Sequence, residues 1–392
     1  MSAINAVWVV ARKELKDASR DRRAIISILI SVFFAPILVV FMLNKIADRQ
    51  SEVEDVRVPI VGGEHAPALV NWLRQQGGVD VVTGPRDAER AVRDHLEDVV
   101  VVIPADFAEQ FRASKPAEVR VIADGADTSI QPKAERIRQL LQRYGSEIGS
   151  LRLVSRGVSP AIVTPIRVKD VEVSSAQERA ARILAFIPMF ILLAAFTAGM
   201  QIATDSTAGE RERGSLEPLL VTPAPRAAIA GGKWLAATVA AMLSVMLTTL
   251  LCVAMLRFVP LQEFGVRFRL GVPQVFGMLA AVLPMCPLAA ALQMYLASFA
   301  RSFKEAQSYM GLLIMIPMLP GILGAFYPMS DQPWMDPIPI VGQYVLMNDV
   351  LGGMSPPILF FLQSAAVTAA VALLCVRLTT GLLRRERIIF GR

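Results

Sequence analysis

The sequence predicts an α-helical integral membrane protein with six transmembrane helices and an extracytoplasmic α/β domain inserted between the first and second spans. Three observations carry the prediction. Apolar residues make up 54% of the 392 and charged residues only 19%, with a mean hydropathy of +0.49, values of membrane rather than soluble chains. Six apolar stretches, at 24–43, 183–204, 227–257, 273–300, 307–327 and 357–378, are each long enough to cross about 30 Å of hydrocarbon at about 1.5 Å per residue. Between the first and second stretches, charges become frequent and short β-rich runs alternate with helical periodicity, the mark of a water-exposed domain at 44–180.

Taken in order, residues 1–23 form a cytoplasmic amphipathic helix, with Ile4, Val7, Trp8, Ala11 and Leu15 on one face and Arg12, Lys13, Lys16, Asp17 and Arg20 on the other. Arg22 and Arg23 lead directly into the first span. Strand candidates in the inserted domain lie at 56–61, 79–82, 99–103 and 119–122, and helices at 65–76, 86–96, 105–113 and 132–154. A domain of this size buries its own core.

Lys and Arg set the orientation. They cluster before the first span, in the short loops holding Arg211, Arg213, Arg226, Lys233, Arg301 and Lys304, and in the tail 379–392 with Arg384, Arg385 and Arg387. The segment 328–356 contains neither residue and reads as an outer loop, while Arg267 and Arg269 are a mild exception on the outer side. By the positive-inside rule both termini are cytoplasmic in a multi-pass protein, and the 44–180 domain lies outside. Membrane lipid is therefore the surrounding partner.

Other classes are excluded residue by residue. The net charge of +6 comes without a basic stripe interleaved with aromatics, so no nucleic acid is expected. Cys252, Cys286 and Cys375 sit inside apolar stretches and read as small buried hydrophobes, and His65 and His95 lie far apart without cysteine company, so no metal is expected. Gly231-Gly232-Lys233-Trp234 fails the phosphate-cradling pattern, and neither GxSxG nor HExxH occurs, so the chain is read as non-catalytic, with no bound cofactor. Pro36, Pro188, Pro284, Pro287, Pro317 and Pro320 free backbone carbonyls within the spans. With the deep amides Gln201 and Gln293, Pro317 and Pro320 are the transport-pathway candidates.

The charged, proline-punctuated loop 205–226 is the remaining feature. Glu210, Arg211, Glu212 and Arg213 form a mixed-sign cluster. After Gly214, Ser215 is placed to cap a short helix running to Val221, with Glu217 and Pro218 in its first turn, and Leu216, Leu219 and Leu220 share one face. That shape suits a plug for another protein's groove, or a loop whose leucines dip into lipid headgroups.

Glu212-Arg213-Gly214-Ser215-Leu216-Glu217-Pro218-Leu219-Leu220, then Thr222-Pro223 and Gly232-Lys233, resembles the cytoplasmic signature of type-2 ABC exporter permeases, an ER-[KR]-G-[ST]-LE-x-LL-x-TP pattern followed by GK. Val101-Val102-Ile103-Pro104-Ala105-Asp106-Phe107 is similar to the IP-x-[DG]-F segment of their external domain, and Arg12-Lys13-Glu14 matches on the first helix. The single large domain is similar to that of NatB-type sodium-extrusion permeases and of drug-exporting relatives. The resemblance implies the permease subunit of an ATP-driven exporter in a bacterial inner membrane, paired as a homodimer and driven by a separate ABC ATPase subunit that holds ATP and Mg2+. It makes Glu210–Leu220 the coupling element. Sodium is the cargo implied by resemblance; export of a hydrophobic or amphipathic drug or lipid is the alternative from span composition. A membrane-anchored sensor or scaffold displaying the external domain is the alternative of another class, and six proline-bent spans argue against it.

Overall fold

The computed structural model describes residues 3–54, 56–127, 130–163, 166, 178, 181, 183–259, 270–324 and 333–383. The chain divides into two compact units, Met1–Asn44 with Ser174–Arg392, and Lys45–Val173. Arg267, Arg269 and the basic tail from Arg384 lie outside the described residues.

The larger unit opens with α1 (Ala3–Ala18) and most of α2 (Arg22–Glu54), a helix that runs well past the expected span end at 43 and whose residues from Lys45 fall in the other unit. After the four helices of the other unit comes a long helical path: α7 (Phe186–Ala198), α8 (Met200–Thr204), a π-helical turn (Asp205–Gly209) and α9 (Glu210–Glu212). Then come α10 (Leu216–Val221), α11 (Arg226–Met255), α12 (Val272–Val282), α13 (Met285–Ala297), α14 (Phe303–Gly324), α15 (Val341–Leu351) and α16 (Ile358–Leu382). Among the described residues, six helical segments are long and apolar enough to cross a membrane, as expected from the sequence. Their burial differs sharply. The Phe186–Glu212 segment buries 78% of its most apolar window and Ile358–Leu382 only 22%, so the first is the bundle's centre and the second its rim. α7 reads FIPMFILLAAFTA, apolar all round, which suits a helix packed on every side.

One expectation needs correcting. The stretch 328–356, read as an outer loop, contains α15, whose Gly342 to Met347 are all buried. Its start is held by a polar clamp: Gln343 Oε1 accepts from the Ile340 backbone N–H at 2.6 Å, and Gln343 Nε2 donates to Thr368 Oγ1 of α16 at 2.7 Å. The clamp holds Ile340 at φ 75°, where a β-branched residue is strained. Gly342 is demanded here because a Cβ would lie 1.9 Å from the Asp336 carbonyl oxygen.

The smaller unit carries a four-stranded sheet in the order β2-β1-β3-β4, from β1 (Val56–Val61), β2 (Val79–Thr83), β3 (Val99–Val102) and β4 (Arg120–Ala123). β1 runs parallel to β2 and β3, and β4 closes one edge antiparallel to β3. The helices are α3 (Pro67–Arg74), α4 (Ala88–Arg93), α5 (Phe107–Arg112) and α6 (Gln131–Ser155), each within a few residues of its sequence expectation. Side-chain alternation builds two cores. Val99 and Val101 pack in the cluster with Leu69, Leu73 and Ile137, whereas Val100 joins Ala88 and Val92 on the other face. The Ile103–Phe107 segment turns β3 into α5, with Ile103 and Phe107 buried, and His65 Nδ1 lies 3.0 Å from the Ile103 carbonyl oxygen.

Candidate functional site

The chemistry of the larger unit gathers where α1, the α9–α10 segment and the start of α11 meet. α1 is amphipathic in an unexpected way. Its Ile4 and Trp8 are exposed, while Ala6, Val10, Ala11 and Glu14 are buried, so the packed stripe is rotated from the predicted apolar face and includes a carboxylate. That stripe approaches α11 closely at Gly231 and Gly232. A Cβ on Gly232 would sit 2.5 Å from Val10 Cβ and 2.8 Å from the Val7 carbonyl oxygen. Gly232 is what the approach requires, since a Cβ on Gly231 would make only an ordinary contact, 3.6 Å from Val7 Cγ2.

The next residue, Lys233, is buried, with its side chain 2% exposed. Its Nζ donates to Glu14 Oε1 at 3.0 Å and to Glu210 Oε2 at 2.6 Å. Lys13 Nζ in turn donates to Glu14 Oε1 at 3.1 Å and to Glu210 Oε1 at 3.0 Å. The four side chains therefore close a ring of alternating charge, Lys233–Glu14–Lys13–Glu210, with two positive and two negative members and no net charge. Neutrality is what makes the burial tolerable, since a lone charge there would bear its full desolvation cost. Desolvation pulls the pKa of Lys13 down, but the hydrogen bond it donates to Glu210 and the fields of Glu14 and Glu210 outweigh it and leave it above the usual lysine value. The stabilisation from that raised pKa is thus complete at neutral pH and fades only as pH climbs past the ordinary lysine range through the raised value.

The other charges of the Glu210–Arg213 cluster are engaged within the chain too. Arg211 Nη1 donates to the Ala300 carbonyl at 2.8 Å and the Ser298 carbonyl at 3.4 Å, just beyond the C-terminus of α13, where orphan carbonyls favour a cation. Glu212 Oε2 accepts from the Phe303 backbone N–H at 2.6 Å, at the first residue of α14. Arg213 pairs with Asp205 of the π-helical turn at 2.9 Å. So the mixed-sign cluster fastens the end of α13 and the start of α14 to its own helical path.

Gly214 and Ser215 also have defined parts. Gly214 adopts φ 66° with nothing within 4 Å of a would-be Cβ, so backbone conformation alone asks for glycine. The Ser215 N–H bonds the Glu210 carbonyl at 2.9 Å and the Gly214 N–H bonds the Arg211 carbonyl at 3.1 Å, the paired bonds of a Schellman stop. The expected N-cap is corrected here: the Ser215 side chain does not cap α10 but donates to the Glu210 carbonyl at 3.2 Å. In α10, Leu216 is buried against its own chain, Leu219 is half-buried, Glu217 and Pro218 are exposed, and the Leu220 side chain lies outside the described set. Val221, not singled out from the sequence, is 86% exposed at the end of α10.

Of the pathway candidates, Gln201 is buried in α8 and Gln293 in α13. Gln293 Nε2 donates to the Phe196 carbonyl, beside the break at Gly199 where α7 gives way to α8, and its Oε1 has no hydrogen-bond partner among the described residues. Pro317 and Pro320 are buried on α14, next to Gly321, whose would-be Cβ lies 2.5 Å from Met189 Sδ of α7. Among the described residues, no group of three or more His, Cys, Asp or Glu could hold a metal ion.

A family model described as ABC-2 family transporter protein matches residues 26–380, nearly the whole chain. The chain belongs to the ABC-2 transporter family. It is 27% identical over 375 residues to the ABC transporter permease protein NatB of Bacillus subtilis (strain 168), covering 93% of this chain and 94% of that protein. It is 24% identical over 225 residues to the probable multidrug ABC transporter permease YbhR of Escherichia coli (strain K12), covering 55% and 56%. No solved structure matches it. As an ABC-2 family member similar to NatB, the chain is a permease, the membrane-embedded transport subunit of its system, and membership implies a partner ATPase.

Lys233 and Glu14 are the residues that sequence reasoning underused. The available signal was a lysine just inside an apolar span behind two glycines, because an ionisable group at such a place needs a partner.

Proposed function

We propose that this ABC-2 permease works as a homodimeric exporter of a bacterial inner membrane, that its ATPase docks on α10, and that its cargo is sodium. The closed charge ring carries the reading. It binds the Glu210 end of the coupling segment to α1 and to span α11, so a push on α10 reaches two helices without passing through a flexible loop. Leu219 and Val221 offer the ATPase an apolar edge beside exposed Glu217. In this arrangement the ring faces the cytoplasm, both termini lie there, and ATP and Mg2+ are held by the partner. The sheet-bearing unit then lies outside. With Cys252, Cys286 and Cys375 replaced by alanine, Gln75→Cys and Arg112→Cys are expected to react with an impermeant maleimide in intact spheroplasts; labelling only after lysis overturns that orientation.

Sodium rests on the resemblance and on buried oxygens in the spans, where Gln293 Oε1, Thr238, Thr248 and Thr249 lack hydrogen-bond partners among the described residues. The second reading, an amphipathic molecule, is favoured by the apolar composition of the Phe186–Glu212 segment and by the word multidrug in the name of YbhR. Liposomes holding the permease and its ATPase decide between them. Sodium export predicts ATP-dependent 22Na+ movement without ATPase stimulation by amphiphiles; stimulation without sodium movement overturns it. In the same system, Leu219→Asp with Val221→Asp is expected to lose ATPase co-purification at least tenfold while membrane insertion survives, and retention of a stoichiometric, active ATPase overturns the docking assignment.

A further inference from the structure

The sheet-bearing unit has a cavity of about 390 Å3 between α5, the 115–119 segment and one face of α6. That volume falls within the range of small-molecule sites. Its walls are apolar, from Leu69, Phe107, Phe111, Leu141 and Ile148. Two cations line it, Lys115 and Arg152, and none of its lining residues is a carboxylate. Arg152 is held in place: Nη2 donates to the Phe111 carbonyl at 2.6 Å and the guanidinium carbon lies 4.3 Å over the Phe111 ring. One fork of donors is thereby used, and the rest of the guanidinium remains for another acceptor. Tyr144 also lines the cavity; it is only 8% exposed, and its hydroxyl has no hydrogen-bond partner among the described residues. Burial raises its pKa above the usual phenol value, against the opposing field of Arg152, so the hydroxyl stays a donor.

Gly145 and Gly149 add an independent observation. They stand four residues apart on the face of α6 that carries Leu141, Ile148 and Arg152, and nothing lies within 4 Å of a Cβ built on either. Glycine weakens a helix interior. Neither packing nor a positive φ asks for these two, and their effect is to keep the cavity open.

We propose that this cavity binds an amphipathic organic anion of fatty-acid type, its hydrocarbon chain between Phe107, Phe111 and Ile148 and its carboxylate on Lys115, Arg152 and the Tyr144 hydroxyl. The proposal concerns a site on the sheet-bearing unit and is independent of what the spans carry.

The test uses the full-length permease in lipid nanodiscs and a dodecanoate bearing a diazirine in its chain, irradiated, digested and mapped by mass spectrometry. Labels are expected within 107–119 and 141–152. Excess dodecanoate should remove them, and dodecyltrimethylammonium, which has the same chain and the opposite charge, should not. Gly149→Leu, which fills open space, and Lys115→Glu, which reverses an exposed charge, should each lower labelling at least fivefold. Labelling confined to the spans, equal competition by the cationic amphiphile, or undiminished labelling in both variants overturns the proposal.

Discussion

Lys233→Met is expected to cost about 3–5 kcal/mol of folding stability, the penalty for removing one partner from a buried, hydrogen-bonded charge group. The wild-type ring has no net charge. The substitution leaves Glu14 and Glu210 sharing Lys13 alone, an unpaired negative charge among side chains that are 7% exposed. Adding Glu210→Gln restores neutrality, with Lys13 still on Glu14 at 3.1 Å, so the double variant should recover at least half of the lost stability. Function should separate from stability at this point. The double variant lacks the ionic tie between the coupling segment and α11, so ATP-driven transport should remain depressed while ATPase binding persists. Thermal unfolding of the purified proteins, read beside transport in liposomes, measures both. A single variant within about 1 kcal/mol of wild type would remove the ring from any structural or coupling part, since a buried lysine with two carboxylate partners cannot be deleted that cheaply.

The ring also shows where sequence reasoning reaches and where it stops. The spans and the α/β unit were legible because each is a local pattern: continuous apolar runs in one, and valine-rich strands spaced by helices in the other, with β1 and β2 found almost residue for residue. Helix α15 was illegible for a local reason. Its 11 residues are too few for a span, and they carry neither the cationic flanks nor the length that separates a buried half-helix from a loop. Pairing was illegible for a different reason. Lys233 meets Glu14 across 219 positions, and no periodicity records such a contact. Leu216 shows the same limit on a smaller scale: spacing puts it on a face with Leu219, but only packing decides that this face begins against its own chain.

The two glycines before Lys233 are expected to respond to alanine with opposite signs, although they are neighbours in one helix. At Gly231, an added Cβ would meet Val7 Cγ2 at 3.6 Å, an ordinary contact, so the gain in helix propensity of up to about 1 kcal/mol should appear as neutral or raised stability. At Gly232 the added carbon would lie 2.5 Å from Val10 Cβ, 2.7 Å from Val10 Cγ1 and 2.8 Å from the Val7 carbonyl oxygen. A side-chain tip can rotate away; a Cβ and a carbonyl oxygen move only with their helix. Gly232→Ala should therefore displace α1 and cost about 1–3 kcal/mol through overpacking, with a further loss in transport because the displacement draws Glu14 and Lys13 away from Lys233 and Glu210. Val10→Ala should not rescue it, since that change leaves both the Val10 Cβ and the Val7 carbonyl in place. Thermal unfolding of the three variants, with ATP-driven transport measured beside it, provides the comparison. Equal effects at positions 231 and 232, or full rescue by Val10→Ala, would mean that α1 does not press on α11 through its backbone, and the rigid link from the coupling segment to the spans would have to run elsewhere.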